Sequence, residues 1–353
     1  MLYIHQACCA SAQQTFTNID IDHLHEAVDN KLQVKEPSYE GIPAGILRRM
    51  GKAIRMGVGT ALPIIKSTDE PVNGIIIGTA DGGMEDCIKF LNQIIDYNEG
   101  LLTPTNFVQS TTNAIAAQIG LLTTNKEYNT THVHRGLAFE NALLDAAMML
   151  QENTGARYLV GGVDEISAYN YNIDYLNGWF KKEPIAAADL YASVSEASIA
   201  GEGAAMFLLS NQQQHAVAAI RGLHFLHSTD SKTVMDQLQL FLQKHLPAGE
   251  KIDVVLSGEN GDSRLLGYYL ACEAVINKSA TVARFKHMMG EYATCSAAAV
   301  WLACTIIKEQ HLPAHMIKYG APAASIHRIL IYNTFKGIQH SFILVEKPQP
   351  VRH

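Results

Sequence analysis

Apolar residues alternate along the chain between short continuous runs and longer stretches at helical spacing. GIIIG (74–78) reads as a buried strand followed by a turn. FENALLDAAMMLQ (139–151) carries apolar residues at the spacing of a helix. RYLVGGVDE (157–165) and GAAMFLLS (203–210) read as strands, the second leaving the polar tract NQQQHA. IDVVLSG (252–258) is a further strand, GYYLACEAVI (267–276) a helix and SAAAVWLACTIIKEQ (296–310) a long helix. ILIYN and SFILVEK close the chain as strands. Strands interleaved with crossover helices predict an α/β chain, its mainly parallel sheet covered by helices. Gln212–Gln214 is the expected seam between two related halves, 1–211 and 215–353. Each half holds a strand, a turn, a buried helix and further strands, which hints at a duplicated unit.

Composition narrows the function. The 353 residues are 48% hydrophobic and 17% charged, enough for a sizeable core. A net charge of −7 argues against nucleic acid, because phosphate binding needs a basic surface. MLYIHQACCASAQQ has neither the basic nor the long apolar region of a secretory signal. No apolar run approaches the ~20 residues of a membrane span. Six cysteines without metal or disulfide-scaffold spacing predict reduced thiols in a cytoplasm.

Candidate chemistry concentrates in NTTHVHRGLAFENALLD (129–145). His132 and His134 form an H-x-H pair that a strand would place on one face, with Glu140 or Glu291 as a third ligand. The plainer reading, two satisfied polar residues in a filled cavity, outweighs it, so no metal and no cofactor are expected. Arg48, Arg49, Lys52 and Arg55 lie along one side of an expected helix, either a solvated face or a docking patch for an acidic partner. Tyr169, Tyr171 and Tyr175 could line a tunnel or fill core and interface. Met288 and Met289 read as core.

The order of motifs resembles the thiolase-fold β-ketoacyl–acyl-carrier-protein synthases over almost the whole chain. The segments that carry it are IPAGILRRMGKAIRMGVGTAL, IIIGTADGGMEDCIKFLNQI, LLTPTNFVQSTTNAIAAQIGL, LVGGVDE, IAGEGAAMFLL, FKHMMGEYATCSAAAVWL and YNTFKGIQHSFILVEK. The resemblance implies stacked layers of related sheets around buried central helices. It also implies an acylated cysteine on a tight turn at a helix N-terminus, two histidines that polarise a thioester carbonyl, and a supporting lysine.

By this resemblance the cysteine and both histidines are missing here, while the lysine is kept. With Gly136 as the glycine three residues after the nucleophile, the nucleophile position is Val133, and a slip of one residue offers His132 or His134. The nearest cysteine in sequence is Cys87. Ser257 or Gly258 takes the first histidine's position. Lys286 matches the lysine, and Glu291, five residues on, replaces the second histidine. A carboxylate there opposes enolate formation and is expected to pair with Lys286, while His287 is expected to face away. Phe335 is kept, and Gly337 stands at the gate.

Silent members of the family resemble chain-length factors, which pair with an active ketosynthase. The resemblance therefore implies a subunit serving decarboxylative condensation on acyl-carrier-protein-bound chains, in fatty-acid, polyketide or aryl-polyene-like synthesis. Its dimer seam would run along Tyr128–Thr131, including Thr130, with Thr105–Asn113 reaching toward the neighbour's pocket, and the chain alone could pair with itself. One alternative is an altered acyltransferase using His132, His134 and Glu291. The other is a homodimeric scaffold that binds acyl chains or carrier proteins.

Overall fold

A computed structural model describes residues 1–192 and 194–349. The first half supplies strands β1 (Leu2–Ala10), β2 (Gly74–Gly78), β3 (Tyr128–His132), β4 (Arg157–Asp164) and β5 (Gly203–Ser210). The second supplies β6 (Ala218–His227), β7 (Val254–Ser257), β8 (Thr281–Arg284), β9 (Ile317–Tyr319), β10 (Arg328–Phe335) and β11 (Gln339–Glu346). They lie in the order β9-β8-β7-β10-β11-β6-β1-β5-β4-β2-β3. With the edge strand β9 set aside, both halves run outward from the centre as first, fifth, fourth, second and third strand. In each, only the fifth strand opposes the rest. The repeat is thus one of topology. Gln212–Gln214 lies in the connection between β5 and β6.

The halves are not separate sheets. β1 and β6 pair antiparallel at Leu2–Ile220, Tyr3–Ala219 and Ile4–Ala218, stitching both into one sheet. Neither strand stands out in the sequence. LYIHQACCA and AAIRGLHFLH mix His, Gln and Arg with apolar residues, so period alone does not mark them.

The helices are α1 (Lys52–Lys66), α2 (Met84–Asp96), α3 (Pro104–Gln109), α4 (Ala114–Thr123) and α5 (Ala138–Glu152). They continue as α6 (Ala168–Leu176), α7 (Ser231–His245), α8 (Leu266–Glu273) and α9 (Cys295–Glu309). α9 is apolar almost all round and buried along nearly its whole length, as a helix enclosed by sheet must be. It touches β1, β4 and β5 of one half and β10 and β11 of the other, so the sheet folds round it. α5 packs beside it on β2, β3 and β4. Small residues at the start of α9 let the backbone come close. A Cβ on Gly162 of β4 would lie 2.8 Å from the Ala297 Cβ. α1 and α4 cover the outer face of the first half, and α7 with α8 that of the second.

Asp164, at the end of β4, ties the centre together. Its carboxylate accepts from Thr79 Oγ1 (2.9 Å), Ala80 N (2.8 Å) and Asp81 N (3.1 Å) after β2. It also accepts from Thr294 N (3.1 Å) and Thr294 Oγ1 (2.7 Å) at the start of α9. Burial pushes this carboxyl up, and the surrounding donors oppose that. Replacing Asp164 with alanine strands several buried donors at once. Urea denaturation of Asp164→Ala should show a loss of at least about 3 kcal/mol. A loss under about 1 kcal/mol would contradict this account of the fold.

Candidate functional site

The chain leaves β3 at His132 and reaches α5 through a single turn, Arg135–Leu137. Arg135 is left-handed at φ 50°, a conformation most side chains avoid, so the segment is a sharp elbow. Gly136 sits at its inner corner, where a Cβ would overlap Phe335. Val133 is 49% exposed and offers no nucleophile.

The two elbow histidines diverge. His132 Nε2 donates to Asp145 Oδ2 at 2.8 Å, and the Tyr128 hydroxyl donates to the same oxygen at 3.0 Å. The His134 ring turns the other way and meets the His227 ring edge-on, centroids 5.4 Å apart. The H-x-H face expected of a strand is absent because β3 ends at His132. Among the described residues no three His, Cys, Asp or Glu side chains gather as metal ligands.

Lys286 is fully buried, and its Nζ donates to Glu291 Oε1 at 2.8 Å. The second oxygen, Glu291 Oε2, accepts from Asn260 Nδ2 at 2.7 Å. The strand-like contact Glu291 N to Ile199 O (2.8 Å) and Gly201 N to Glu291 O (3.0 Å) fixes the backbone beneath the carboxylate. Burial alone would depress the Lys286 ammonium; the Cys295 sulfur and the Glu291 carboxylate outweigh that and lift it above the ordinary lysine range. Burial pushes the Cys295 thiol up to about 12, and Lys286 opposes that. His287 is also buried and points away from Glu291, with Nε2 2.8 Å from His315 Nδ1. Burial, then His315 and Arg284, pull it down to about 3.

Ser257 or Gly258 is the residue expected at the first histidine's position. Ser257 is buried at the end of β7, its hydroxyl 3.4 Å from Glu259 N. Gly258 has no room for a side chain, because a Cβ there would run into Asn333. The residue that meets Glu291 from this strand end is Asn260, two positions on, and the turn Glu259–Gly261 hides that register in the sequence.

A cavity of about 70 Å³ lies beside Glu291 and Asn260. Asp81, Asn170, Tyr171, Trp179, Phe335 and Lys336 are among its walls. Tyr171 stacks on Phe180 at 5.2 Å and on Tyr175 at 5.9 Å, whereas Tyr169 is 43% exposed at the surface. Burial, then Asp164 and Asp174, lift the Asp81 carboxyl to about 6. Gly337 is left-handed at φ 67° in the turn between β10 and β11. Met288 and Met289 are core.

Glu140, on the first turn of α5, is wholly buried, and neither carboxylate oxygen has a hydrogen-bond partner. Burial pushes its carboxyl up, and Ser341, Ser296 and Lys286 oppose that. It takes no part with His132 or His134.

The basic patch is smaller than the sequence implies. Arg48 and Arg49 follow a one-turn helix (Ala44–Leu47), and α1 starts only at Lys52, so the four residues do not share one helix face. Lys52 is paired with the buried Glu202. Arg55 holds Glu36 through two bonds, Nε–Oε2 at 2.9 Å and Nη2–Oε1 at 2.6 Å. Arg48 and Arg49 are exposed and form no ion pair among the described residues.

At the expected seam, β3 is the edge strand of the sheet. Asn113 Oδ1 accepts from Thr131 Oγ1 at 2.8 Å and so ties the α3–α4 segment to it. Thr105 lies on α3, whose Phe107 and Val108 are 60% and 66% exposed.

The chain belongs to the β-ketoacyl synthase family: the family model for the β-ketoacyl synthase N-terminal domain matches residues 24–243. Among solved structures it is similar to a β-ketoacyl synthase from Burkholderia phymatum STM815, at 14% identity over 99% of both chains, TM-score 0.75. It is similar to the complex of a type II polyketide synthase acyl-carrier protein with its ketosynthase bound to the hexaketide, at 12% identity over 98% of this chain and 99% of that one, TM-score 0.80. It is also similar to the ishigamide ketosynthase/chain length factor, at 14% identity over 99% of both chains, TM-score 0.75. These likenesses establish the α/β thiolase-like fold. None of the curated proteins matches the chain.

Three variants test the site's electrostatics. Glu291→Gln leaves a buried ammonium without its countercharge and should cost about 3–5 kcal/mol in chemical denaturation, while Lys286→Met with Glu291→Leu should cost less than Glu291→Gln alone. Glu140→Gln should stabilise the protein, and only above the ordinary carboxyl range. At pH 3 both forms are neutral. As pH rises past about 4.3 the unfolded wild type ionises before the folded form, whose carboxyl is held higher, so wild type loses stability that the amide keeps. Equal stabilities at pH 7 would refute the upward shift of Glu140.

Proposed function

We propose that this chain is a chemically silent ketosynthase homologue that acts as a chain-length-factor-like subunit beside an active ketosynthase. The observation that carries the reading is the Lys286–Glu291 pair with Asn260 bonded to its far side. Condensation builds negative charge on a thioester oxygen, and catalysis needs donors aimed at that charge. Here a carboxylate stands at the family's second-histidine position, and the available donors are spent on it. Val133 adds no nucleophile, and His132 and His134 are held apart by Asp145 and His227.

The surface supports pairing. An edge strand with unpaired backbone groups is an aggregation hazard unless something covers it, and β3 lies at the edge with Phe107 and Val108 exposed nearby. The partner in the cell is an active ketosynthase that carries the catalytic cysteine, and the chain alone pairs with itself. Arg48 and Arg49 are the residues left to meet an acidic acyl carrier protein. The similarity to a ketosynthase/chain length factor is consistent with this division of labour. No helix among the described residues is long and apolar enough to cross a membrane, and six free cysteines suit a cytoplasm.

Co-expression with a ketosynthase tests the reading. The expected product is a one-to-one heterodimer with an interface above about 2,000 Å², in which a cerulenin-like epoxide labels only the partner's cysteine. Thr130→Arg with Thr131→Arg should split the dimer in light scattering. A wild-type chain that stays monomeric and folded at micromolar concentration, or a dimer indifferent to both arginines, would overturn the assembly.

A further inference from the structure

The hairpin joining β10 to β11 reaches the elbow and the cavity together. Lys336 and Gly337 are both left-handed, φ 54° and 67°, and Ile338 N donates to Phe335 O at 3.1 Å. That is a type I′ turn, whose twist matches the strands it joins. From the turn, Lys336 Nζ meets Asp174 Oδ1 at 2.6 Å and lies 5.4 Å from the Trp179 ring centre. The Arg264 guanidinium covers the same indole at 4.5 Å, so Trp179 is clasped by two cations at the cavity wall.

Past the turn, Gln339 enters the elbow. Its Oε1 accepts from Gly136 N at 2.9 Å. Its Nε2 donates to His134 O at 3.3 Å and to His227 Nε2 at 3.0 Å. The side chain cannot be turned over, because its amino group would then face the Gly136 amide, donor against donor. Gln339 is 7% exposed. Amides ahead of a helix point at whatever lies off its N-terminus and favour negative charge there. At this elbow, ahead of the fifteen-residue α5, the Gly136 amide is already taken by a carboxamide oxygen from the opposite half.

We propose that Gln339 is a built-in occupant of the elbow's anion position, holding the Gly136 amide that would otherwise serve a thiolate or a thioester oxygen. The proposal rests on the silent reading and deepens it. Silence has two layers, a missing nucleophile at Val133 and an amide already satisfied from within. Restoring a thiol at the elbow therefore does not by itself restore an activated one.

The test compares Val133→Cys with Val133→Cys carrying Gln339→Met or Gln339→Ala. Methionine keeps the volume and removes the carbonyl; alanine removes both. The readout is the rate of iodoacetamide alkylation of the introduced thiol against pH, located by peptide mass. Position 133 is already half exposed, so access is not what changes. Removing the carbonyl should shift the pH midpoint down and speed alkylation at pH 7 by about fivefold or more. If the alanine variant does not fold, the methionine variant decides. A midpoint that stays where Val133→Cys puts it overturns the proposal and leaves the silent reading intact. Acylation of the unaltered chain would sink the silent reading by a separate measurement.

Discussion

A lysine ammonium with no solvent contact must have a countercharge, and much of the centre of this protein follows from that requirement at Lys286. Glu291 supplies the charge, and its backbone is pinned between Ile199 and Gly201. Gly290 must be left-handed at φ 74° to turn the chain there, against the backbone of Gly201. Asn260 satisfies the remaining oxygen. An imidazole at 291 would leave the ammonium facing a neutral or cationic ring in place of a carboxylate.

The framework does not depend on that chemistry. Asp164 ties the segment after β2, the end of β4 and the start of α9 through donors unrelated to any reaction. α9 is fixed by small residues packed on glycine and by its apolar surface. The proposed silent reading therefore asks for no change in the layers. Polar groups at the centre are met from within: Glu291 is paired with Lys286, burial pushes the Glu140 carboxyl up, and the Gly136 amide is filled by Gln339.

Much of the fold is legible in the sequence for physical reasons. β2, β4, β5 and β10 are buried on both faces and read as continuous apolar runs, and α5 and α9 show helical spacing. β1 and β6 do not read, because their partial exposure admits polar residues. At the site, Lys286 and Glu291 are legible through the resemblance, in which a lysine and a histidine stand five residues apart. Asn260 is not, since a turn with a left-handed Gly261 separates it from β7. Gln339 reads as an ordinary strand residue, and only the hairpin's approach to the elbow gives it meaning. The basic patch misleads because sequence shows the cations and not Glu36 and Glu202, which neutralise two of them.

The central claim is that this chain carries no acyl group of its own. Its most direct test is intact mass of the isolated protein after incubation with acyl-carrier-protein thioesters. The account predicts the unmodified mass, with every acyl group remaining on the carrier. A stable acyl adduct mapped to His132, His134 or Glu291 would contradict it.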